Sequence, residues 1–383
     1  MVWSESIERA LARIREREGE VRAWVEVSPQ PALAEGPLSG TGFAAKDTFE
    51  TGGLATEYGS PIYAGRRGTS DAALVEMLRR RGAVLLGKTQ TTAFAYFDPA
   101  PTRNPRRLTH TPGGSSSGSA AAVADGMAEF AIGSQTQGSV IRPASYCGIV
   151  GFKPSHGLLP VEGLLPFAPT LDTAGLFTTT VSRMRELWAQ MGFPVGDSPP
   201  QPLAALPVPD HVEAPMRQAF FSAVAQLGAI QVDPPVSLDE VFETIRLIND
   251  YEGSRTFRTT YDEHGRRIGV KLAELIERGL RVAEKDYRMA LDNLQQARRA
   301  MEQCLAAYPI LLSPAAQGPP PEGLTSTGNP IMNGAWTGLG VPVVSVPMPV
   351  GQALPLGLQL AADRNQEERL LAAAFMVENE LAA

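Results

Sequence analysis

Residues 109–126, THTPGGSSSGSAAAVADG, pass without a break from turn-forming Pro and Gly through serines into a helix-forming, alanine-rich run. A flexible linker does not continue into an apolar helix. Ala120, Ala121 and Ala122 suit a helix lying close against a sheet, because methyl side chains permit near approach. The flanks fit that setting. GFAAKDTF is short, apolar and glycine-bounded, which predicts a strand ending at Lys46. Ser70 is placed to cap a helix over DAALVEMLRRR and Gly82 to end it, before a strand AVLLGKT at 83–89. Strand, helix and strand in this order favour a parallel crossover. EFAIGS, after the alanine helix, adds a further strand.

Elsewhere, Ile7, Leu11, Ile14 and Val21 share one side of a surface helix predicted over 4–24. Helical periodicity recurs over 211–228, 236–250 and 282–307, and a final helix begins at about 365, after the apolar segments PILLSP and VPVVSVPM. The proline-rich stretch DSPPQPLAALPVPD, 197–210, reads as an exposed connection.

A chain of 383 residues with 43% hydrophobic content can bury a large core, as one domain or two. A net charge of −7 argues against nucleic acid or an anionic membrane as partner, since both need clustered Lys and Arg, and leaves a small molecule as the expected one. Two cysteines in apolar surroundings, Cys147 and Cys304, read as free thiols of a reducing cytoplasm and give no metal-ligand spacing. Glu5 and Glu8 stand where a signal peptide has basic residues, and no apolar run is long enough to span a bilayer, so a soluble cytoplasmic protein is expected.

The glycines and serines of 113–119 lack the GxxxxGK[ST] pattern of a phosphate loop. A histidine-dependent serine hydrolase fits poorly. His110, His156, His211 and His264 read as surface or structural residues, and no GxSxG elbow frames a serine. A serine nucleophile here needs a base other than His.

GGSSSGSAAAVADGMAEFAIGSQTQGSVIRPASYCGIVGFKPSHG, with AAKD upstream and LDTAGLF downstream, resembles the amidase-signature family of amide hydrolases, nearly without a gap from about residue 37 to 182. Within it the chain is most similar to the malonamidase branch, also in STGNPIMNGAWTGLGVPVVSVP, whereas 195–310 carries little signal. The resemblance implies one α/β domain over 1–383, a large mixed, mainly parallel sheet flanked by helices with the triad on loops at one edge. Its signature core is 37–182, with a helical insertion or subdomain at 211–310 and a C-terminal completion at 311–383. It further implies a cofactor-free, metal-free triad: Lys46 as base, Ser115 as bridging serine in a cis peptide, and Ser139 as nucleophile, 24 residues on.

Such a lysine must work as a neutral amine, which from a reference pKa near 10.4 takes about 4 kcal/mol of differential desolvation. The oxyanion hole falls on the backbone N–H groups of Thr136, Gln137, Gly138 and Ser139. Gln137 departs from the pattern by replacing the first of two glycines, and its side chain could narrow the pocket, bond the substrate or strain the loop. Gln135 reads as structural support. Arg142, Gln137, Gly113 and Gly114 are the substrate-binding candidates. For Arg142 two readings stay open, a grip on a substrate carboxylate and a buried ion pair that holds the loop. Lys88 and Lys153 read as structural or surface charges, Asp172 as a hydrogen-bonding buttress, and Tyr96, Phe97 and Phe167 as pocket lining or core.

The implied activity is hydrolysis of a small linear amide, with that substrate as partner and a possible homodimer. A carbamate, urea-type or aryl-amide hydrolase, the ammonia-producing subunit of a tRNA-dependent amidotransferase, and a non-catalytic relative are the alternatives.

Overall fold

The computed structural model describes residues 3–196 and 201–382. Eleven strands among them form one sheet: β1 (Trp24–Gln30), β2 (Gly42–Lys46), β3 (Val84–Thr89), β4 (Phe130–Gln135), β5 (Val150–Lys153), β6 (Thr173–Thr178), β7 (Leu203–Ala205), β8 (Ile230–Gln231), β9 (Ile310–Pro314), β10 (Val343–Pro347) and β11 (Gly357–Ala361). Their order is β1-β3-β2-β4-β6-β5-β10-β11-β9-β7-β8. Helices cover both faces. On one lie α1 (Glu5–Val21), α3 (Ser117–Ala124), α4 (Ile141–Cys147), α7 (Leu238–Thr256), α9 (Val270–Gly279), α10 (Glu284–Ala307) and α11 (Ile331–Leu339). The other carries α2 (Ala73–Arg80), α5 (Val181–Gln190), α6 (Ala214–Gln226) and α12 (Glu367–Ala382); α8 (Arg258–His264) links α7 to α9.

Strand alternation sorts the two cores. In β2, Phe43 and Ala45 enter the α2 and α5 side while Ala44 enters the α1 and α3 side, and all three are fully buried. The alanine helix behaves as its composition requires. Ala120, Ala121 and Ala122 are completely buried, and a Cβ on Gly118 would lie 2.2 Å from the Ala23 carbonyl oxygen.

The expected crossover is present, with β2 parallel to β3 and β4 parallel to β2. The sheet is mixed, but not mainly parallel: among the described residues, six neighbouring pairs are antiparallel and four parallel. In the C-terminal half the parallel crossover recurs only at the sheet's far side among the described residues, where α6 joins β7 to β8 and β7 also runs parallel to β9; the strands between are antiparallel. Strands β10 and β11 are joined by the short stretch 348–356, which permits only a hairpin.

Ser70 does not cap α2. The helix starts at Ala73, and the backbone N–H groups of Ala72 and Ala73 donate to the carbonyls of Glu50 and Glu162, so neighbouring backbone replaces a side-chain cap. Of the stretch read as an exposed connection, 197–200 lies outside the described residues, and 201–210 contains the partly buried β7. Helix α4 escaped the periodicity because every residue in it is buried, leaving no polar face to alternate with.

Candidate active site

Lys46 ends β2 rather than lying on a loop. It shares a sheet face with Ala44, beneath α3, and is completely buried. Its Nζ lies 2.6 Å from Ser115 Oγ and 2.8 Å from Ser134 Oγ. No carboxylate forms an ion pair with it among the described residues. Burial pulls its pKa down to about 7, and the charge of Asp172 resists that fall. Asp172 is itself raised to about 6 by burial, despite accepting hydrogen bonds from Thr136 Oγ1 at 2.6 Å and from the N–H groups of Phe167 and Ala168 at 2.7 and 3.0 Å.

Ser115 precedes α3, and the Gly114–Ser115 peptide is cis. Gly113 has a φ of +84°, and a Cβ there would lie 2.9 Å from Pro143 Cα; one on Gly114 would lie 2.8 Å from Thr327 Cγ2. Both glycines serve the packing of this turn and neither lines the pocket, contrary to their expected place against substrate.

Ser139 sits between β4 and α4 and faces the same pocket as Ser115. Gln135 fixes this loop. Its Oε1 accepts from the N–H groups of Val140 and Ile141 at 2.8 and 3.1 Å, while its Nε2 donates to Thr337 Oγ1 at 2.9 Å. Thr337 Oγ1 in turn donates to the Gln137 carbonyl at 2.7 Å. The N–H groups of Thr136, Gln137, Gly138 and Ser139 make no hydrogen bond among the described residues, so four consecutive donors stand free on a restrained loop. Gln137 has no positive φ, so a side chain there brings no left-handed strain; it lines the pocket. Gly138 is required by crowding, since a Cβ would lie 2.6 Å from Asn333 Oδ1 and 2.8 Å from Arg142 Nη1.

The pocket is a narrow cleft that opens to solvent. Tyr96, Phe97 and Phe167 form an aromatic wall, with Tyr96 stacked on Phe167 at 5.4 Å, so these residues line the site as well as fill space. Arg142 borders it too and is 2% exposed. Its Nε donates to the Thr327 carbonyl and one terminal nitrogen to the Gly114 carbonyl, each at 2.7 Å, while Nη1 has no partner among the described residues. Burial lowers its pKa to about 10, which leaves it charged at neutral pH. The buried-ion-pair reading therefore fails: its partners are carbonyls. No Asp, Glu or His lines the pocket among the described residues.

Lys88 and Lys153 are fully buried, not surface charges. Lys88 donates to the carbonyls of Phe49 and Ala55 and lies 3.3 Å from Asp47; Lys153 donates to those of Pro154 and Val341. Three contributors escaped the sequence reading. Ser134 was legible in principle, because β2 and β4 are parallel neighbours and their ends run side by side. Thr337 and Asn249, on α11 and α7, meet the site only through tertiary packing.

The amidase family profile matches residues 5–214. A glutamyl-tRNA(Gln) amidotransferase subunit of Alkaliphilus metalliredigens is 30% identical over 451 aligned positions, covering 96% of this chain and 91% of that one. In further relatives of the same name the matched stretch is shorter, from 30% to 53% of their own length. A crystal structure of an amidase superposes with a TM-score of 0.88 at 26% identity, covering 98% of this chain and 95% of that one. A peptide amidase in complex with the competitive inhibitor chymostatin does so with 0.81 at 26% identity, covering 99% and 94%. No helix among the described residues is long and apolar enough to cross a membrane.

Proposed function

Because the chain belongs to the amidase family, enzymes that act on amide C–N bonds, we propose that it hydrolyses a small linear amide to a carboxylate and ammonia or an amine through an acyl-enzyme on Ser139. The contact that carries this reading is Lys46 Nζ, 2.6 Å from Ser115 Oγ, in a lysine whose pKa has fallen to about 7. A large share of Lys46 is then the neutral amine at neutral pH. The amine takes the Ser115 proton as Ser115 takes that of Ser139, and Ser139 Oγ attacks the carbonyl carbon. The free N–H groups of 136–139 receive the negative oxygen. The relay then returns a proton to the departing nitrogen, and water repeats the sequence to release the acid.

Arg142 supports a carboxylate-bearing primary amide, as in the malonamidase branch: a buried cation with, among the described residues, one free nitrogen and no acidic neighbour in the pocket suits an anion. The name shared by the amidotransferase relatives supports a second reading, a protein that releases ammonia for partner chains. The aromatic wall supports aryl amides as a further substrate class.

Ammonia or amine release from malonamate, neutral primary amides, anilides and carbamates, with Ser139→Ala as control, tests the reading. Loss of release in the variant is expected, with malonamate preferred over neutral amides of the same size. Equal background release from both proteins overturns it, and activity that appears only with a co-purifying chain moves the assignment to the second reading.

A further inference from the structure

Helix α7 belongs to the stretch in which the sequence carries no recognisable motif, yet it places a polar side chain in the pocket. Asn249 is 2% exposed and lines a pocket whose one charged lining group among the described residues is Arg142, and its side chain makes no hydrogen bond among those residues. Its carboxamide is not sealed from solvent but opens onto the pocket, with donors and acceptor left for a bound molecule. Its position is not adaptable. The same helix face grips the loop that carries Phe167: Glu252 accepts from the N–H of Thr170 at 3.0 Å and from the Thr170 hydroxyl, and Thr256 Oγ1 donates to the Phe167 carbonyl at 3.1 Å. A Cβ on Gly253 would lie 2.8 Å from the Phe167 ring. Asn249, one turn earlier, is thus fixed beside the aromatic wall.

We propose that Asn249 is a specificity-determining residue of this site, and that its carboxamide binds an uncharged polar group of the substrate. The inference rests on the amidase reading above and names a second substrate class for that site, amides that carry a further carboxamide. A carboxamide offers one acceptor and two donor hydrogens in a plane, which matches a second carboxamide and cannot neutralise an ion. Arg142 and Asn249 then divide the work, the guanidinium taking a carboxylate and Asn249 a neutral amide. The rings of Tyr96 and Phe167 exclude water around the latter.

The test uses amides that share the scissile group and the overall shape: malonamide, its apolar isostere isovaleramide, the anionic malonamate, and β-alaninamide, which carries an ammonium. A site built to bond a polar group rejects the analogue lacking it by far more than an apolar pocket rejects an extra one. The expected result for Asn249→Ala is a fall of about tenfold or more in the ratio of kcat/KM for malonamide to that for isovaleramide, carried by KM. Asn249→Asp keeps the shape and adds an anion, so it is expected to raise the ratio for β-alaninamide over malonamide. This second variant guards against misfolding of the first. Unchanged ratios in both variants, with Ser139-dependent release intact, overturn the role of Asn249 alone. Release that survives Ser139→Ala overturns the amidase reading instead.

Discussion

Two buried lysines with nearly the same pKa, about 7, stand in the same protein, and only one touches a serine of the pocket. Lys46 must be neutral to act, so kcat/KM is expected to rise with pH through an acid limb near 7 and then level off. Lys153→Met is expected to leave the midpoint of that limb in place, because among the described residues Lys153 bonds backbone carbonyls away from the pocket. A midpoint that moves with Lys153 would separate Lys46 from the chemistry. Stability follows a related course. Between about 7 and the ordinary 10.5 the unfolded chain holds a proton on Lys46 that the folded one has lost, so this residue's contribution to stability rises with pH across the window. The stability of Lys46→Met relative to wild type, read by thermal melts, is expected to be greatest at or below pH 7 and to decline toward pH 10.5. Asp172 acts in the opposite sense on the catalytic limb. It resists the fall in the Lys46 pKa, so Asp172→Asn is expected to move the limb to lower pH. It also loses one of the bonds to Thr136, Phe167 and Ala168, for about 1–3 kcal/mol of stability by denaturant titration.

Among the elements, the tie between α11 and the nucleophile loop decides how well the free N–H groups are aimed. Gln135→Leu keeps the volume but orphans the N–H groups of Val140 and Ile141 at the start of α4. The expected loss is about 1–3 kcal/mol of stability. A fall in kcat larger than any change in KM should accompany it, since the four donors of 136–139 matter most when the oxygen is charged. A proportionate rise in KM alone would mean that the loop binds substrate without stabilising the oxyanion. Elements of this kind differ in how far the sequence discloses them. Strands β2, β3 and β4 and helix α3 were legible because each is short, bounded by glycine or turn residues, and continuous in one motif. The serines and lysine of the site lie within that motif, so their grouping was legible too. Asn249 was not. Between Ile248 and Asp250 of α7 it looks like an ordinary polar residue of an amphipathic helix, and only the docking of α7 on α11 and on the Phe167 loop buries it. Arg142 was legible as a candidate, but the choice between a substrate grip and an ion pair depended on which atoms surround it: the carbonyls of Thr327 and Gly114.

At the scale of the whole molecule, the family profile ends at residue 214, yet the folded unit does not. Strand β5 hydrogen-bonds to β10, with Lys153 opposite Val343 and Gly151 opposite Ser345, so the sheet passes from the first half of the chain to the last without an edge between them. The site crosses the same seam: Arg142 donates to the Thr327 carbonyl, and Gln135 is tied to Thr337. A chain ending at 214 would leave β5 as an unpaired edge and strip the buried Val150 and Phe152 of neighbours supplied by β10 and α12, conditions that lead to aggregation or to loosely packed states. Residues 1–214 expressed alone are therefore expected to lack a near-ultraviolet circular dichroism signal and a cooperative melt. Co-expression with 215–383 as a separate chain is expected to restore both, together with Ser139-dependent release, because the pairing of β5 with β10 requires contact and not covalent continuity. A cooperative melt from 1–214 by itself would show that the segment matched by the family profile folds as an autonomous unit, and that the strands after it are an addition to a core already complete.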